Sequence, residues 1–518
     1  MTWRDTDWRP FGLRATPRFI FLATFSLLFV ILSCWSYASP LAAAPDEQAH
    51  VIHAYALDHG QIGTPTTPPS KVFVNFNVPI SINFVKIDLH CWQFKVQVPA
   101  SCQPPWDMSS ALMVTPSYVG HYPPLYYALV GIGGLFNAGP PGIYLMRIIS
   151  AALGAFMIAL ALYTVARWGR RRGMIFGVYL AITPMTYFLS SCVNPSGFEI
   201  MTAIAIWTTM CVLALEYRDE PPVGLLRVLV FEACTFELIR GLSPFWLFLI
   251  GLVSVVLITP RKALQLVRTQ RPVQYVMAAL VSGVVVAATW ILTQGTLNVL
   301  PVGYAVAPTD GEFTVITKVL HHLHEWIRES VGVLGWLDTV LPTIIYKSWY
   351  YLFIAVFAIA LVRAKNRQRL ALLTVGALSF IVPVAIVTRQ AHILGIVWQG
   401  RDSLPLVVGV AILACGLIVP AGDPGRLTRA LLSVGIAILA LNNMYAFYFN
   451  LRRYAVGSTG SHLFFLRNQG WSPPTGQTPT LVVFCLATAA LAALLIAWTW
   501  FAKGPMRTTQ RPILRPID

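Results

Sequence analysis

The sequence predicts an all-α protein that crosses a membrane many times. Three observations predict it. Hydrophobic residues fill 56% of the 518 positions and charged residues only 11%, against about 25% charge in ordinary soluble proteins. The apolar residues come in runs of about 20, long enough to span a bilayer as helices, with no strand-like or heptad pattern. Lys and Arg gather in the short segments between alternate runs, as cytoplasmic loops require.

About twelve spans are expected, at 19–39, 143–167, 173–191, 197–217, 224–239, 243–259, 273–293, 349–363, 369–388, 404–420, 427–448 and 480–501. The first run exceeds the roughly 7–15 apolar residues of a signal peptide, so it reads as a retained anchor. With the N-terminus cytoplasmic, the inside loops hold Arg167 and Arg170 to Arg172, then Arg261, Lys262, Arg268 and Arg271, then Arg363 to Arg369. A thirteenth stretch, 122–136, is short and aromatic. Counting it as a span would carry the Arg167–Arg172 group outside, so it is expected to lie in the membrane interface.

The organisation that follows is a cytoplasmic tail 1–18, a transmembrane region 19–293 carrying an outer loop 40–142, and an outer loop 294–348. A second transmembrane region, 349–501, carries an outer loop 449–479, and a cytoplasmic tail runs over 502–518. The non-membrane mass is then extracytoplasmic, and function is expected there. Nucleotide-driven chemistry is excluded on two grounds. Soluble nucleotides lie inside, and the chain has no G-x-x-x-x-G-K-[ST] phosphate loop. The net charge of +16 reflects the inside loops. No basic stripe interleaved with aromatics suggests a nucleic-acid partner. Cys91 and Cys102 share the first outer loop, eleven residues apart, where a disulfide is permitted.

The segment after the first run, Pro45-Asp46-Glu47-Gln48-Ala49-His50-Val51-Ile52-His53, holds two adjacent acids beside the membrane. If Pro45 opens a helix, Asp46, His50 and His53 share one face and Glu47 points elsewhere. The simpler role for the two acids is a favourable charge at a helix N-terminus, worth about 0.3–1 kcal/mol. The chemical role is that of a proton acceptor, because partial desolvation makes a carboxylate a better base. Outward cations near span ends could meet a phosphate charge: Arg401 first, then Arg240, Arg389 and Lys347, with snorkelling to the interface as the plain alternative. Asp402 could pair with Arg401 instead. Trp336 beside Asp338 suits a sugar, the indole stacking on an apolar sugar face and the acid taking hydroxyls. His50, His53 and Tyr122 could line the same acceptor site.

Other features have simpler readings. Arg452 and Arg453 are adjacent and outward, fit for an anion or a surface anchor. Asn194 and Glu199 flank a proline turn. Glu232 and Glu237 lie in an apolar run, where acids default to functional candidates. Glu237 is three residues from Arg240 and could pair with it. The group His321-His322-Leu323-His324-Glu325 departs from H-E-x-x-H, and a helical face explains it. No metal site is expected. A divalent cation held by Asp46 with His50 is compatible with the chemistry without being required.

Several segments together resemble known families. A first span, paired acids just outside it, an interfacial Pro-Pro-Leu-Tyr helix and a span starting near an Arg resemble the GT-C superfamily. These are polytopic glycosyltransferases that use polyprenyl-phosphate sugars. The same Pro45–His50 segment, with His121-Tyr122-Pro123-Pro124-Leu125-Tyr126-Tyr127, Arg147-Ile148-Ile149-Ser150, Asn194–Glu199, Gly335–Thr339 and Gln399-Gly400-Arg401, resembles a bacterial predicted-membrane-protein family of unknown function. The GT-C resemblance implies a first-loop acid at the acceptor hydroxyl. Asp46 matches that position best, and Glu47 is its rival. With the charge pattern, which places both termini in the cytoplasm and the active site outside, the resemblance points to a bacterial plasma-membrane protein. Its implied partners are a polyprenyl-phosphate sugar donor, a glycan or glycolipid acceptor and membrane lipids, with no cofactor required. The expected function is inverting sugar transfer to a cell-envelope glycan or lipid. The alternative is a transporter or flippase of a lipid-linked saccharide, which the lack of an internal repeat disfavours.

Overall fold

In the computed structural model, residues 16–501 are described except 68–69, 84–90, 218, 299–305, 308–309, 420 and 423. Both expected tails lie essentially outside these residues. The described chain is an α-helical bundle with a small elaboration at one end.

Helices stand at every expected span. Pro17–Ala38 begins where the Thr16 hydroxyl accepts the Phe19 N–H and Pro17 takes the first turn, a position where proline costs nothing. It packs along Pro140–Trp168 and Gln477–Phe501. At the centre run Pro195–Glu216 and Gly400–Ile418, the two most enclosed of the long helices. They approach closely because Gly409 has no side chain. A Cβ there would lie 2.1 Å from the Trp207 ring, whose Nε1 instead donates to the Pro405 carbonyl at 3.0 Å. Around the outside, Leu22, Val281, Val285, Val362, Ile381, Leu441 and Leu486 are exposed, as lipid-facing residues should be.

The count differs from twelve. Among the described residues nine helices are long and apolar enough to cross a membrane, or eleven if each of two bent pairs is one span. Gly173–Ala181 and Pro184–Ser190 break by 64° at Pro184, which cannot continue the hydrogen-bond ladder. Ser243–Ile258 turns by 100° into Pro260–Thr269, which carries Arg261, Lys262 and Arg268. The remaining expected span, 224–239, is the helix Val223–Glu237 of 15 residues. At 1.5 Å per residue that is roughly 22 Å, short of a roughly 30 Å hydrocarbon core.

The stretch 122–136 forms two short helices, Pro124–Val130 and Ile132–Phe136, with Leu135 and Phe136 exposed. It is too short to span, as expected. The first long loop also contains a feature that the apolar pattern does not signal. Thr64–Pro65, Val74–Pro79 and Leu112–Ser117 form an antiparallel three-stranded sheet, pairing Phe76 with Thr115 and Asn75 with Pro116. Val74, Phe76 and Val78 face inward on the helix Glu47–Asp58, and the Ser117 hydroxyl donates to the Ala49 carbonyl at 3.1 Å.

The three expected outer segments meet at one end of the bundle. Cys91 and Cys102 are disulfide-bonded. Arg453 clasps that loop by donating to the Val98 and Trp92 carbonyls, both at 2.8 Å, and to Lys95 at 3.3 Å. Asp338 accepts from Phe94 N–H at 3.0 Å and sits 3.6 Å from Arg453. At the opposite end the basic loops are tied together. Arg171 donates to Gly416, Arg172 to Thr499 and Arg363 to Ile418.

Candidate functional site

The two adjacent acids have opposite environments. Glu47 is fully buried and forms a two-pronged pair with Arg147: Nε to Oε1 at 2.7 Å and Nη2 to Oε2 at 2.5 Å. It also accepts the N–H groups of Ala42 at 3.0 Å and Val193 at 3.1 Å. Arg147 uses its other donors on the carbonyls of Ser36, Ser39 and Pro40. The pair thereby joins the end of the first span, the helix Pro140–Trp168 and the turn before Pro195. A buried pair this complete leaves Glu47 no free acceptor for a substrate.

Asp46 faces the other way, and its backbone explains why. The helix starts at Glu47, so Pro45 does not open it. Asp46 is the residue just before it, with φ +67° and no side-chain cap bond. That left-handed conformation costs an L-residue roughly 1–2 kcal/mol, and Asp tolerates it better than most. It turns the carboxylate off the helix. Arg401 Nη2 meets Asp46 Oδ2 at 2.7 Å, and the Tyr118 hydroxyl donates to Oδ1 at 2.7 Å. The Asp46 side chain stays 30% exposed while that of Arg401 is only 10% exposed. Burial pushes the Asp46 carboxyl up, but the Arg401 guanidinium and the Tyr118 hydroxyl outweigh it and hold it below the usual Asp value.

Arg401 has donors to spare. Its Nε and Nη1 are buried and make no hydrogen bond among the described residues. A buried guanidinium with two idle nitrogens is costly unless something arrives to accept their N–H groups. Beside it runs a narrow crevice lined by Pro45, Phe188, Glu329, Gly335, Leu337 and Gln399.

Asp402, the next residue, does not pair with Arg401. It lies 3.3 Å from Arg240 Nη2 and caps its own helix by accepting from Gln399 N–H. Arg240 also meets Glu199 at 3.0 Å, and the Ser243 hydroxyl donates to Glu199 at 2.6 Å. The Arg240 charge acts on the buried Tyr122 phenol. Arg240 is therefore taken by Glu199 and Asp402. Glu237, its expected partner, makes no hydrogen bond among the described residues. The helix register aims Glu237 at Gly283, not along the turn to Arg240.

The histidines lie behind this cluster. His50 is 4% and His53 3% exposed. His50 Nδ1 is 2.8 Å from the Tyr127 hydroxyl, and the His53 ring packs on Tyr127 and Phe76. Burial drives the pKa of each down to about 3, so both are neutral at physiological pH. They do share one face, through a common contact with Tyr127.

Trp336 and Asp338 brace the loops. Trp336 Nε1 donates to the Ala42 carbonyl at 3.0 Å, and Asp338 holds the disulfide loop as described. Lys347 and Arg389 are exposed and stand apart from the cluster. Asn194 caps its helix by accepting from Ser196 N–H and donates to the Pro45 carbonyl. His322 and Glu325 pair with each other at 2.7 Å. Among the described residues no three metal-ligating side chains converge.

Tyr118, Arg147 and Glu199 are the members the residue patterns did not single out for this site. Arg147 carried a signal, an arginine at the mouth of a long apolar run. Tyr118 carried none.

The comparisons bear on the whole chain. No curated protein matches it. Among solved structures, ArnT from Cupriavidus metallidurans bound to undecaprenyl phosphate is 17% identical with a TM-score of 0.42, covering 92% of this chain and 76% of that one. ArnT from the same organism in the apo state is 14% identical with a TM-score of 0.43, covering 93% and 77%. The family described as "Predicted membrane protein (DUF2142)" matches residues 28–410. The chain belongs to that family of predicted membrane proteins.

Proposed function

We propose that this protein is an inverting glycosyltransferase that moves a sugar from a polyprenyl-phosphate donor to a cell-envelope glycan or lipid on the outer face of a bacterial plasma membrane. One observation carries the reading: a partly exposed carboxylate, Asp46, touches a buried arginine, Arg401, that has two idle donors. Sugar transfer from a lipid phosphate needs those two functions side by side.

In this reading Asp46 takes the proton from the acceptor hydroxyl. The acceptor oxygen bonds to the anomeric carbon as the bond from that carbon to the phosphate oxygen breaks. The electron pair leaves with the phosphate, whose charge Arg401 meets. A phosphate is already a good leaving group, so no general acid is required and no cofactor enters the scheme. Arg240 sets the far wall, held by Glu199 and Asp402. Tyr122, His50 and His53 shape the acceptor side, and Trp336 and Asp338 fix the loop above it. The resemblance of the Pro45–His50 and Pro-Pro-Leu-Tyr segments to GT-C enzymes supports the same assignment.

The test is transfer of radiolabelled sugar from a lipid extract of the producing membrane by the purified full chain in proteoliposomes. The Asp46→Asn protein is expected to retain donor binding and lose transfer by about a hundredfold or more. Full transfer by that variant removes the assignment.

A further inference from the structure

We infer that Asp46 and the donor's phosphate are rivals for Arg401, so that donor docking is the event that frees the carboxylate, with Tyr118 as the positioning residue that keeps it in place afterwards. This rests on the reading above.

The geometry supplies the argument. Arg401 offers two faces of its guanidinium. Nη2 is occupied by Asp46 at 2.7 Å, while Nε and Nη1 are buried and idle. A phosphate binds an arginine best through two parallel N–H bonds. The parallel pairs of a guanidinium are Nε with Nη2 and Nη1 with Nη2, so a phosphate that takes either idle donor in such a fork also claims Nη2, the nitrogen Asp46 holds, and brings negative charge against Oδ2 of Asp46. Other anions stand close by. Glu329 accepts from the Gly400 N–H at 2.7 Å, and Asp402 lies on the same helix turn. The site cannot cheaply hold one more negative charge with Asp46 in place.

Asp46 has somewhere to go. Its second oxygen is bonded to the Tyr118 hydroxyl at 2.7 Å, and its side chain is the more exposed of the ion pair. Loss of Nη2 therefore leaves a carboxylate held by one neutral hydrogen bond and open to solvent or an acceptor. A carboxylate deprived of its cation is also a stronger base. The contact that makes Asp46 inert without donor is the one that donor binding removes, and the order donor first, acceptor second follows.

The experiment measures binding of undecaprenyl phosphate to the full chain in nanodiscs, in the unaltered protein, four variants and one control. Arg401→Gln is expected to lose binding by tenfold or more. Asp46→Asn removes the rival and is expected to bind about three- to tenfold tighter than the unaltered protein, the range of one partly exposed charge contact. Tyr118→Phe is expected to bind more weakly, because only the donor-bound state depends on that hydroxyl alone. In the Asp46→Asn background Tyr118→Phe should change nothing. The control Glu329→Gln removes an equal charge from the same crevice without touching Arg401. Equal tightening by Glu329→Gln and Asp46→Asn would mean a general field effect and overturns the rivalry. So does weakening by Tyr118→Phe in both backgrounds, which marks a purely structural tyrosine. Failure of the unaltered protein to bind, or binding indifferent to Arg401, sinks the functional reading itself.

Discussion

Asp46 and Arg401 are 355 positions apart in the chain and 2.7 Å apart in the folded protein. The first sits just after the first span, the second at the start of a late one. Their meeting joins a carboxylate from one region to a cation from the other.

Exchanging each acid for its amide should separate the two adjacent carboxylates. Asp46→Asn loses a surface-accessible charge and is expected to fold normally with transfer abolished. Glu47→Gln leaves Arg147 enclosed with an uncompensated charge. Breaking a buried pair in this way costs about 3–5 kcal/mol, so that variant is expected to unfold at markedly lower temperature. Thermal unfolding in detergent, read beside transfer activity, checks both.

Part of this was readable from the residues. The apolar runs gave the helices because hydrocarbon admits little else. Asp46 stood out because acids are rare beside a span. Three contacts were not readable. The left-handed turn at Asp46 replaces the expected proline start, since Glu47 is fixed by Arg147 from a hundred residues away and in turn holds the Ala42 N–H. Asp402 chooses Arg240 over its neighbour Arg401 because consecutive residues on a helix point in different directions. Tyr118 reaches Asp46 only after a sheet forms that no apolar run announces. Local pattern reports burial, whereas pair choice depends on distant segments.

The two buried histidines make stability depend on pH in a fixed direction. His50 and His53 have folded pKa values near 3, below about 6.5 for the unfolded chain. Between those values the unfolded state binds more protons, so stability falls as pH falls. The loss begins below about pH 6.5 and continues toward 3, at up to roughly 1.4 kcal/mol per pH unit for each ring. Melting temperature measured from pH 7.5 to 4.5 should drop, and a His50→Asn, His53→Asn double variant that folds should show a shallower drop. An unchanged slope would show that these rings do not remain neutral in the fold.

The disulfide loop is held twice, by the Cys91–Cys102 bond and by the Arg453 clasp. Replacing both cysteines by Ser should lower stability by about 2–4 kcal/mol. Arg453→Ala frees three carbonyls and removes the cation beside Asp338, so it should destabilise at least as much. Limited proteolysis between 91 and 102 reports both, and cleavage should rise most in the combined variant.

Glu232 and Glu237 decide between an enzyme and a carrier. Both are fully buried, and neither carboxylate makes a hydrogen bond among the described residues. Glu237 presses on the neighbouring helix so closely that a Cβ on Gly283 would lie 1.9 Å from its Oε2. A carrier would use such acids as a proton or ion relay, so Glu232→Gln would stop movement of a lipid-linked sugar across the bilayer. A transferase working at Asp46 and Arg401 has no step that passes through them. Glu232→Gln in proteoliposomes should therefore leave sugar transfer unchanged while Asp46→Asn removes it. The same vesicles, loaded on one leaflet with a fluorescent short-chain polyprenyl-phosphate sugar, should show no protein-dependent redistribution. Redistribution that requires Glu232 and ignores Asp46 would move the working centre of this protein from the end of the bundle that holds Asp46 to the middle of the membrane.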